Sequence, residues 1–490
     1  MVNTAPTKSK QRRNTTVTVP DKVKVKSKAS AKEAQDKDSA KSNPIRNYKA
    51  ALSFLFSNTN YESAKRLRYN EDTFNLDRMY KLLQGLGNPH AKLAAVHIAG
   101  TKGKGSTCTM LMEMLKACGY KTGLYTSPHV LDLRERIQIN GNLISEAAMV
   151  RLVRKAAPVV AKMAGDPPTF FEILTAMAFL HFKTENVDIC VIETGLGGRL
   201  DSTNVLMPQA VGITSISLDH QQQLGNSIAQ IAKEKAGIFK KDVPSVSVPQ
   251  DPEAAKVLKR EASLAGSNLR FTGKDIDFSY RFESSRSMGP HNRICLTTST
   301  SKFEHLPVPL YGEHQAINCG LALSLLDCLK GQGFEIDDAK AVAGLAKTRL
   351  QGRMEMVCAD PRVMIDGAHN AASIRALIQA TGQHIPYDSM VVIFGCCEDK
   401  DVQGMLRELQ YGADKVIFTR INSPRSMLPE ELAQQYTEIC GKMCQSAYSL
   451  AEAIRIAKPA LTNGDLLLIT GSFYLVGQAK QFFAEGQPRV

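Results

Sequence analysis

No stretch of this chain strings together about 18 apolar residues, so no membrane-spanning helix is expected. The eleven cysteines contain no C-x-x-C pair, and neither Cys396–Cys397 nor Cys440 with Cys444 has metal-ligand spacing. Many of them, Cys108, Cys190, Cys319 and Cys328 included, sit inside apolar runs, which reads as reduced packing residues in a reducing compartment. Tryptophan is absent and aromatics make up only 6%. No basic stripe interleaved with aromatics runs through the body, so no nucleic-acid partner is expected for it. The N-terminus lacks the apolar segment of a secretory signal, and its acids between residues 33 and 38 argue against a transit peptide.

What is present is an ordinary globular composition, 43% hydrophobic and 22% charged over 490 residues. That length suits about two to four domains. The net charge of +13 is uneven: residues 1–46 hold twelve Lys/Arg against four Asp/Glu, +8 of the total. This Lys-, Ser-, Thr- and Ala-rich stretch has no aromatic residue and cannot bury enough apolar surface to offset its ordering entropy. A disordered basic tail is expected there.

The densest chemical signal is His97-Ile98-Ala99-Gly100-Thr101-Lys102-Gly103-Lys104-Gly105-Ser106. Leu93–Ala99 reads as a buried strand, and Leu111, Met114, Leu115 and Cys118 recur at helical spacing before Gly119. A glycine-rich turn between strand and helix lets backbone N–H groups approach an anion, with Lys104 in reach of phosphates. The strict motif would place a glycine at Ile98 and no residue between Lys104 and Ser106, where Gly105 stands.

Further strand-like runs alternate with helical patterns: Val187–Glu193, Val211–Leu218, Pro244–Val248, Val363–Asp366, Met390–Phe394, Lys415–Thr419 and Leu466–Thr470. Such alternation implies βαβ units. The expected fold is α/β, a P-loop-type, mainly parallel ATPase domain over 47–345 and a smaller Rossmann-like domain over 346–490. The Thr/Ser-rich stretch from about Asn268 to Pro309 reads as antiparallel hairpins decorating the first domain.

Polar residues at the ends of these runs are candidates for a site, because open parallel sheets bind ligands there. Glu193 precedes Thr194-Gly195-Leu196-Gly197-Gly198-Arg199 and is placed to hold Mg²⁺. Asp219-His220 is expected to end the run from Val211 in the same way. Ser227 with Gln230 forms a capping-box pattern, and Ile228, Ile231, Ala232 and Lys235 then share one helical face. Either Lys235 is buried with a depressed pKa, as a neutral amine able to take up CO₂, or it snorkels from the helix end. Gln351-Gly352-Arg353 and Ile365-Asp366-Gly367-Ala368-His369-Asn370 offer a guanidinium and a strand-end turn that suit a nucleotide across a closing cleft.

Together with Thr126-Ser127-Pro128-His129, Arg134-Glu135-Arg136-Ile137, Phe170-Phe171-Glu172, Leu218-Asp219-His220, Glu234-Lys235-Ala236-Gly237-Ile238 and Gly312-Glu313-His314-Gln315, these motifs resemble the folylpolyglutamate synthase/dihydrofolate synthase family within the Mur ligase superfamily. The resemblance runs from about Asn47 to Gly477. It implies an ATP-dependent ligase that adds L-glutamate to dihydropteroate or a reduced folate through an acyl phosphate. It implies that Gly100, Thr101, Gly103, Lys104, Gly105, Ser106, Asn318, Arg353 and Asp366 bind ATP. Ser127, Glu193 and His220 would ligate Mg²⁺, with a second magnesium near a carbamylated Lys235. Thr169, Phe170, Phe171, Glu172, Leu200, Asp201 and Ser202 would line the pterin pocket. Lys104, Lys235, His220 and Arg353 would carry the chemistry. Lys102 stands where many relatives have Asn, and its side chain is not expected to be essential.

The alternatives are a cell-wall Mur-type amino-acid ligase and an RNA-associated P-loop protein acting through the basic tail. A cytoplasmic monomer that glutamylates both acceptors is expected.

Overall fold

The computed structural model describes residues 45–60, 74 and 76–484. The basic-tail expectation therefore lies outside the described residues, apart from Ile45 and Arg46. Eight strands form the first sheet: β1 (Ala95–Ala99), β2 (Thr122–Tyr125), β3 (Ile137–Ile139), β4 (Asn142–Leu143), β5 (Ile189–Glu193), β6 (Ala210–Ile213), β7 (Pro244–Ser247) and β8 (Asn268–Phe271). Their spatial order is β4-β3-β2-β5-β1-β6-β7-β8. The six from β2 to β8 in that order are parallel, and β3 and β4 add an antiparallel edge.

Every residue of β1 and β5 is buried, which follows from helices covering both faces of a parallel sheet. Val96 and Ile98 pack toward the helices Lys104–Ala117 and Glu313–Gly331, while Ala95, Cys190 and Ile192 pack toward Phe170–Thr184. The period-2 alternation of strand side chains makes that division.

Strands β9 (Asp277–Ser285), β10 (Gly289–Thr297) and β11 (Lys302–Val308) form an antiparallel sheet. The hairpin expectation from Asn268 is corrected at its start. Asn268–Phe271 follows the helix Pro252–Ala265 and pairs in parallel with β7, closing one more βαβ unit of the main sheet.

The third sheet holds β12 (Glu355–Ala359), β13 (Arg362–Asp366), β14 (Met390–Phe394), β15 (Lys415–Thr419), β16 (Gln445–Ala447) and β17 (Leu466–Thr470). Its order is β12-β13-β17-β14-β15-β16, parallel except for β12. The described residues from Ile45 onward pack as one compact unit. Among the described residues no helix is long and apolar enough to cross a membrane. All eleven cysteines are free.

A second correction concerns β6, which stops at Ile213 instead of running to Leu218. Beyond it the chain leaves the sheet to strap the glycine-rich loop: Thr101 and Lys102 N–H groups donate to the Ser215 carbonyl at 2.8 and 3.3 Å. Asp219 and His220 thus lie on a loop rather than at a strand end.

Candidate active site

The helix after the glycine-rich loop begins at Lys104, with Gly103 at its N-cap and no side-chain cap. Its first N–H groups are therefore left to an anion. Gly103 has φ +86°, and a Cβ there would meet Asn318 Oδ1 at 2.2 Å, so both backbone conformation and space demand glycine. The loop is braced from two sides. Thr101 Oγ1 donates to the Ser217 carbonyl at 3.1 Å, and Gln315 Nε2 donates to Ser106 Oγ at 3.4 Å while accepting from Asn318 Nδ2 at 3.2 Å.

Glu193, at the end of β5, is buried to 4% exposure. Its Oε1 lies 3.7 Å from Lys104 Nζ, and its Oε2 accepts from the Ser127 N–H at 3.2 Å. Burial pushes this carboxylic acid up, against the pull of Lys104. His220 keeps 47% side-chain exposure, yet the surrounding cavity walls lower its pKa, with Asp219 opposing, so its imidazole is neutral at pH 7. A hydroxyl, a carboxylate and a neutral imidazole facing one cavity form a donor set that fits Mg²⁺, which takes one or two protein carboxylates and keeps other positions for water and phosphate. Among the described residues no three His, Cys, Asp or Glu side chains gather as a complete protein cage.

Lys235 resolves to the buried alternative, at 4% exposure. The capping box forms as expected, with Ser227 accepting from the Gln230 N–H and the Gln230 side chain accepting in return. The Lys235 Nζ donates to the Gly100 carbonyl at 2.7 Å. Burial, helped by Lys104, lowers its pKa to about 7.

From the third sheet, Asp366 ends β13 and accepts from the Met354 and Ala368 N–H groups at 3.0 and 2.8 Å. Arg353 lies 4.5 Å over the Phe473 ring and opposes the upward push of burial on Asp366. Asp219 reaches across to the same sheet's loops. Its carboxylate is 3.3 Å from Asn370 Nδ2, 3.5 Å from Lys400 Nζ and 3.9 Å from His369 Nε2. Burial pushes the Asp219 acid up, but His220, Lys400 and His369 together hold it well below the usual carboxylate range.

At the other end, Phe170 stacks on Phe56 with centroids 5.3 Å apart and an interplanar angle of 12°. The Arg136 guanidinium lies 5.6 Å from the same ring. With 1% exposure Phe170 has no face left for a ligand. Phe171 is only half-buried, tilted against Tyr125 at 6.0 Å. Glu172 accepts from its own capping partner, the Thr169 N–H, at 2.7 Å and from Arg78 Nε at 2.9 and 3.0 Å. Asp201 accepts from the Leu196 N–H at 2.8 Å and the Thr203 N–H at 3.0 Å. Both acids therefore shape the pocket wall through protein contacts.

The residues expected to bind nucleotide, metal or pterin line one cavity of about 1350 Å³: Gly100, Thr101, Gly103 to Ser106, Ser127, Thr169 to Glu172, Glu193, Leu200 to Ser202, His220, Lys235, Asn318, Arg353 and Asp366, whereas Arg134, Glu135, Gln351, Gly352, Gly367 and Ala368 do not. Sequence reasoning assigned no role to Arg78, Lys400, Arg425 or Phe473, which line it too, as does Asp219, named there only as a site candidate beside His220. Arg78 carried no local signal, since its partner Glu172 is 94 residues away. The Asp-Lys-Asp turn at 399–401 after an apolar strand could have pointed to Lys400.

Residues 98–326 match the Mur ligase middle domain, and residues 352–473 match the Mur ligase glutamate ligase domain. The dihydrofolate synthase/folylpolyglutamate synthase of Bacillus subtilis is 34% identical over 411 residues, covering 83% of this chain and 94% of that protein. Folylpolyglutamate synthase of Mycobacterium tuberculosis complexed with ADP superimposes with a TM-score of 0.80 at 32% identity, covering 91% of this chain and all of that one. E. coli FolC in complex with DHPP and ADP gives a TM-score of 0.77 at 28% identity, over 90% of this chain and 98% of that chain.

Proposed function

Because the chain belongs to the folylpolyglutamate synthase/dihydrofolate synthase family of ATP-dependent Mur ligases, we propose that it joins L-glutamate to both dihydropteroate and reduced folates. The observation that carries this is the uncapped helix start at Gly103–Lys104, in one cavity with Arg353 and Asp366 from the third sheet. The C-terminal ligase domain is taken to begin near Ala346, which the end of the helix Asp338–Leu345 and the gap between the stretches matched at 98–326 and 352–473 support. The free cysteines support a cytoplasmic setting.

A carboxylate is a poor acyl donor because its oxygen leaves badly. Transfer of the ATP γ-phosphoryl group to that oxygen makes an acyl phosphate, and the glutamate α-amine then attacks the carbonyl, forming the amide and expelling phosphate. The protein's part is position and charge. Loop N–H groups and Lys104 cradle the phosphates, Arg353 offsets charge from the opposite side, and Asn318 and Asp366 hold the nucleotide. Ser127, Glu193 and His220 would hold Mg²⁺, which when bound neutralises phosphate charge as a Lewis acid. Lys235, about half of it deprotonated at pH 7, can add through its free amine to CO₂, with a new N–C bond and loss of one proton. The resulting carbamate supplies a negative charge for a second Mg²⁺. In the pterin pocket the ring surface available is that of Phe171, with Thr169, Phe170, Glu172, Leu200, Asp201 and Ser202 shaping its wall.

The test is ADP release by the purified protein with ATP, glutamate and each acceptor in turn, products being weighed by mass spectrometry. Glutamate addition to both acceptors is expected. Addition to the folate alone removes the synthase half of the reading, and addition to neither removes it altogether.

A further inference from the structure

The helix Ala371–His384 runs along the cavity, with Ala372, Ser373, Ala376 and Leu377 in its wall. Its last residue, His384, has no part in the scheme above and is buried to 3% exposure. The ring is wedged between Phe282, edge-on with centroids 5.2 Å apart, and Tyr311, also at 5.2 Å. Both ring nitrogens are used. Nε2 accepts from the Gly312 N–H at 3.1 Å, and Nδ1 lies 3.3 Å from the Pro290 carbonyl. A carbonyl oxygen only accepts, so Nδ1 carries the proton and Nε2 the lone pair. Burial lowers the pKa of this histidine, with the Pro290 carbonyl opposing and His291 assisting, which favours that neutral form.

We propose that His384 is a positioning residue for the nucleotide: it fastens the third-sheet side of the cleft to the helix that braces the glycine-rich loop. This rests on the ligase reading above.

That helix, Glu313–Gly331, starts at Gly312 with no side-chain cap. Gly312 has φ +94°, and a Cβ there would lie 2.6 Å from His314 Cε1 and 3.1 Å from Ala380 Cβ. The helix Ala371–His384 therefore presses directly on this turn, and both conformation and space demand glycine. Gln315 and Asn318 follow within two turns, so Asn318 stands only about 9 Å along the axis from the residue that His384 holds. These are the side chains that reach Ser106 and fill the space beside Gly103. At its other end the helix Ala371–His384 is capped by Asn370, four residues after Asp366. One imidazole thus helps set the spacing between Asp366 on one side of the nucleotide and Gly103 to Ser106 on the other. An apolar side chain of like size would fill the space but strand the buried Gly312 N–H, and relief then requires the helix start to move.

The experiment uses the full-length protein and measures binding of a non-hydrolysable ATP analogue by calorimetry, then the KM for ATP, glutamate and reduced folate. His384→Leu should weaken analogue binding and raise the ATP KM about 5- to 20-fold, the range expected when a buried donor loses its acceptor. The glutamate and folate KM should stay within about twofold. His384→Gln, whose Oε1 can accept at the place of Nε2, should return both nucleotide values to within about threefold of wild type. If the leucine variant does not fold, His384→Asn carries the test, because its amide stands near Nδ1 and leaves Gly312 without an acceptor; it should show the same nucleotide loss. A role in packing alone would lower the thermal midpoint and leave the ATP KM unchanged, and that result overturns the assignment. A glutamine variant no better than the leucine or asparagine one overturns it too. A wild type that binds no analogue overturns the ligase reading as well.

Discussion

Replacing Lys235 by Met should abolish ligation and at the same time stabilise the fold. In the wild type the drop in the Lys235 pKa from 10.5 to about 7, caused first by burial and then by Lys104, means that folding works against the lysine's charge. That drop corresponds to roughly 5 kcal/mol below pH 7. Methionine has a similar unbranched shape and no charge to desolvate, but it leaves the Gly100 carbonyl without the donor it has at 2.7 Å. An unmet buried acceptor costs about 1–3 kcal/mol, so the net gain should be roughly 2–4 kcal/mol at pH 7. The sign fixes a pH window. Between pH 7 and 10.5 the unfolded lysine keeps a proton that the folded one has lost, so wild-type stability rises with pH and the advantage of the variant shrinks and then reverses as the lost Gly100 contact remains. Urea unfolding at pH 6.5, 8 and 9.5 in CO₂-free buffer measures the difference directly, and ADP release measures activity. A Met variant that is less stable at pH 6.5, or whose advantage grows with pH, would refute the reasoning. An active Met variant would remove the carbamate.

Lys104→Ala should lower the ligation rate by about 100- to 1000-fold with the fold intact, since it removes a cation aimed at the phosphates; near-normal turnover at saturating ATP would sink the phosphate-loop assignment. Glu193→Ala and His220→Ala should each raise the magnesium concentration needed for half-maximal rate, and an unchanged requirement would take them out of the metal site. Arg78→Met should lower stability by about 3–5 kcal/mol, because it strands Glu172 at 5% side-chain exposure. Its Asp166 arm is half exposed and adds little. A thermal midpoint close to wild type would show that Glu172 finds another partner.

The glycine-rich loop and the strands around it were legible because a strand buried on both faces must be apolar throughout, and because glycines mark the tight turn from strand to helix. The Ser227 capping box gave the phase of its helix, and the phase put Lys235 inward. Other features left no local trace. Ser215–Leu218 continue the apolar alternation of β6, yet their backbone groups bond to Thr101 and Lys102, and only the fold decides that. Phe170-Phe171 reads as a pair of equal rings, but Phe56 and Arg136, from distant parts of the chain, cover the first and leave the second open. Glu172 looks like a substrate ligand until Arg78 is folded against it.

Asp219 has a consequence that reaches past its own contacts. One carboxylate answers both to His220, its neighbour in the chain, and to Asn370, His369 and Lys400 on the opposite sheet. A ligand that drew Lys400 away from Asp219 would alter the field at His220, and a cation seated at His220 would compete for the charge that steadies Lys400. Linkage then makes the two occupancies reciprocal: the factor by which one binding event changes the other is the same in both directions. A single aspartate thus ties the strap over the glycine-rich loop to the loops of the third sheet.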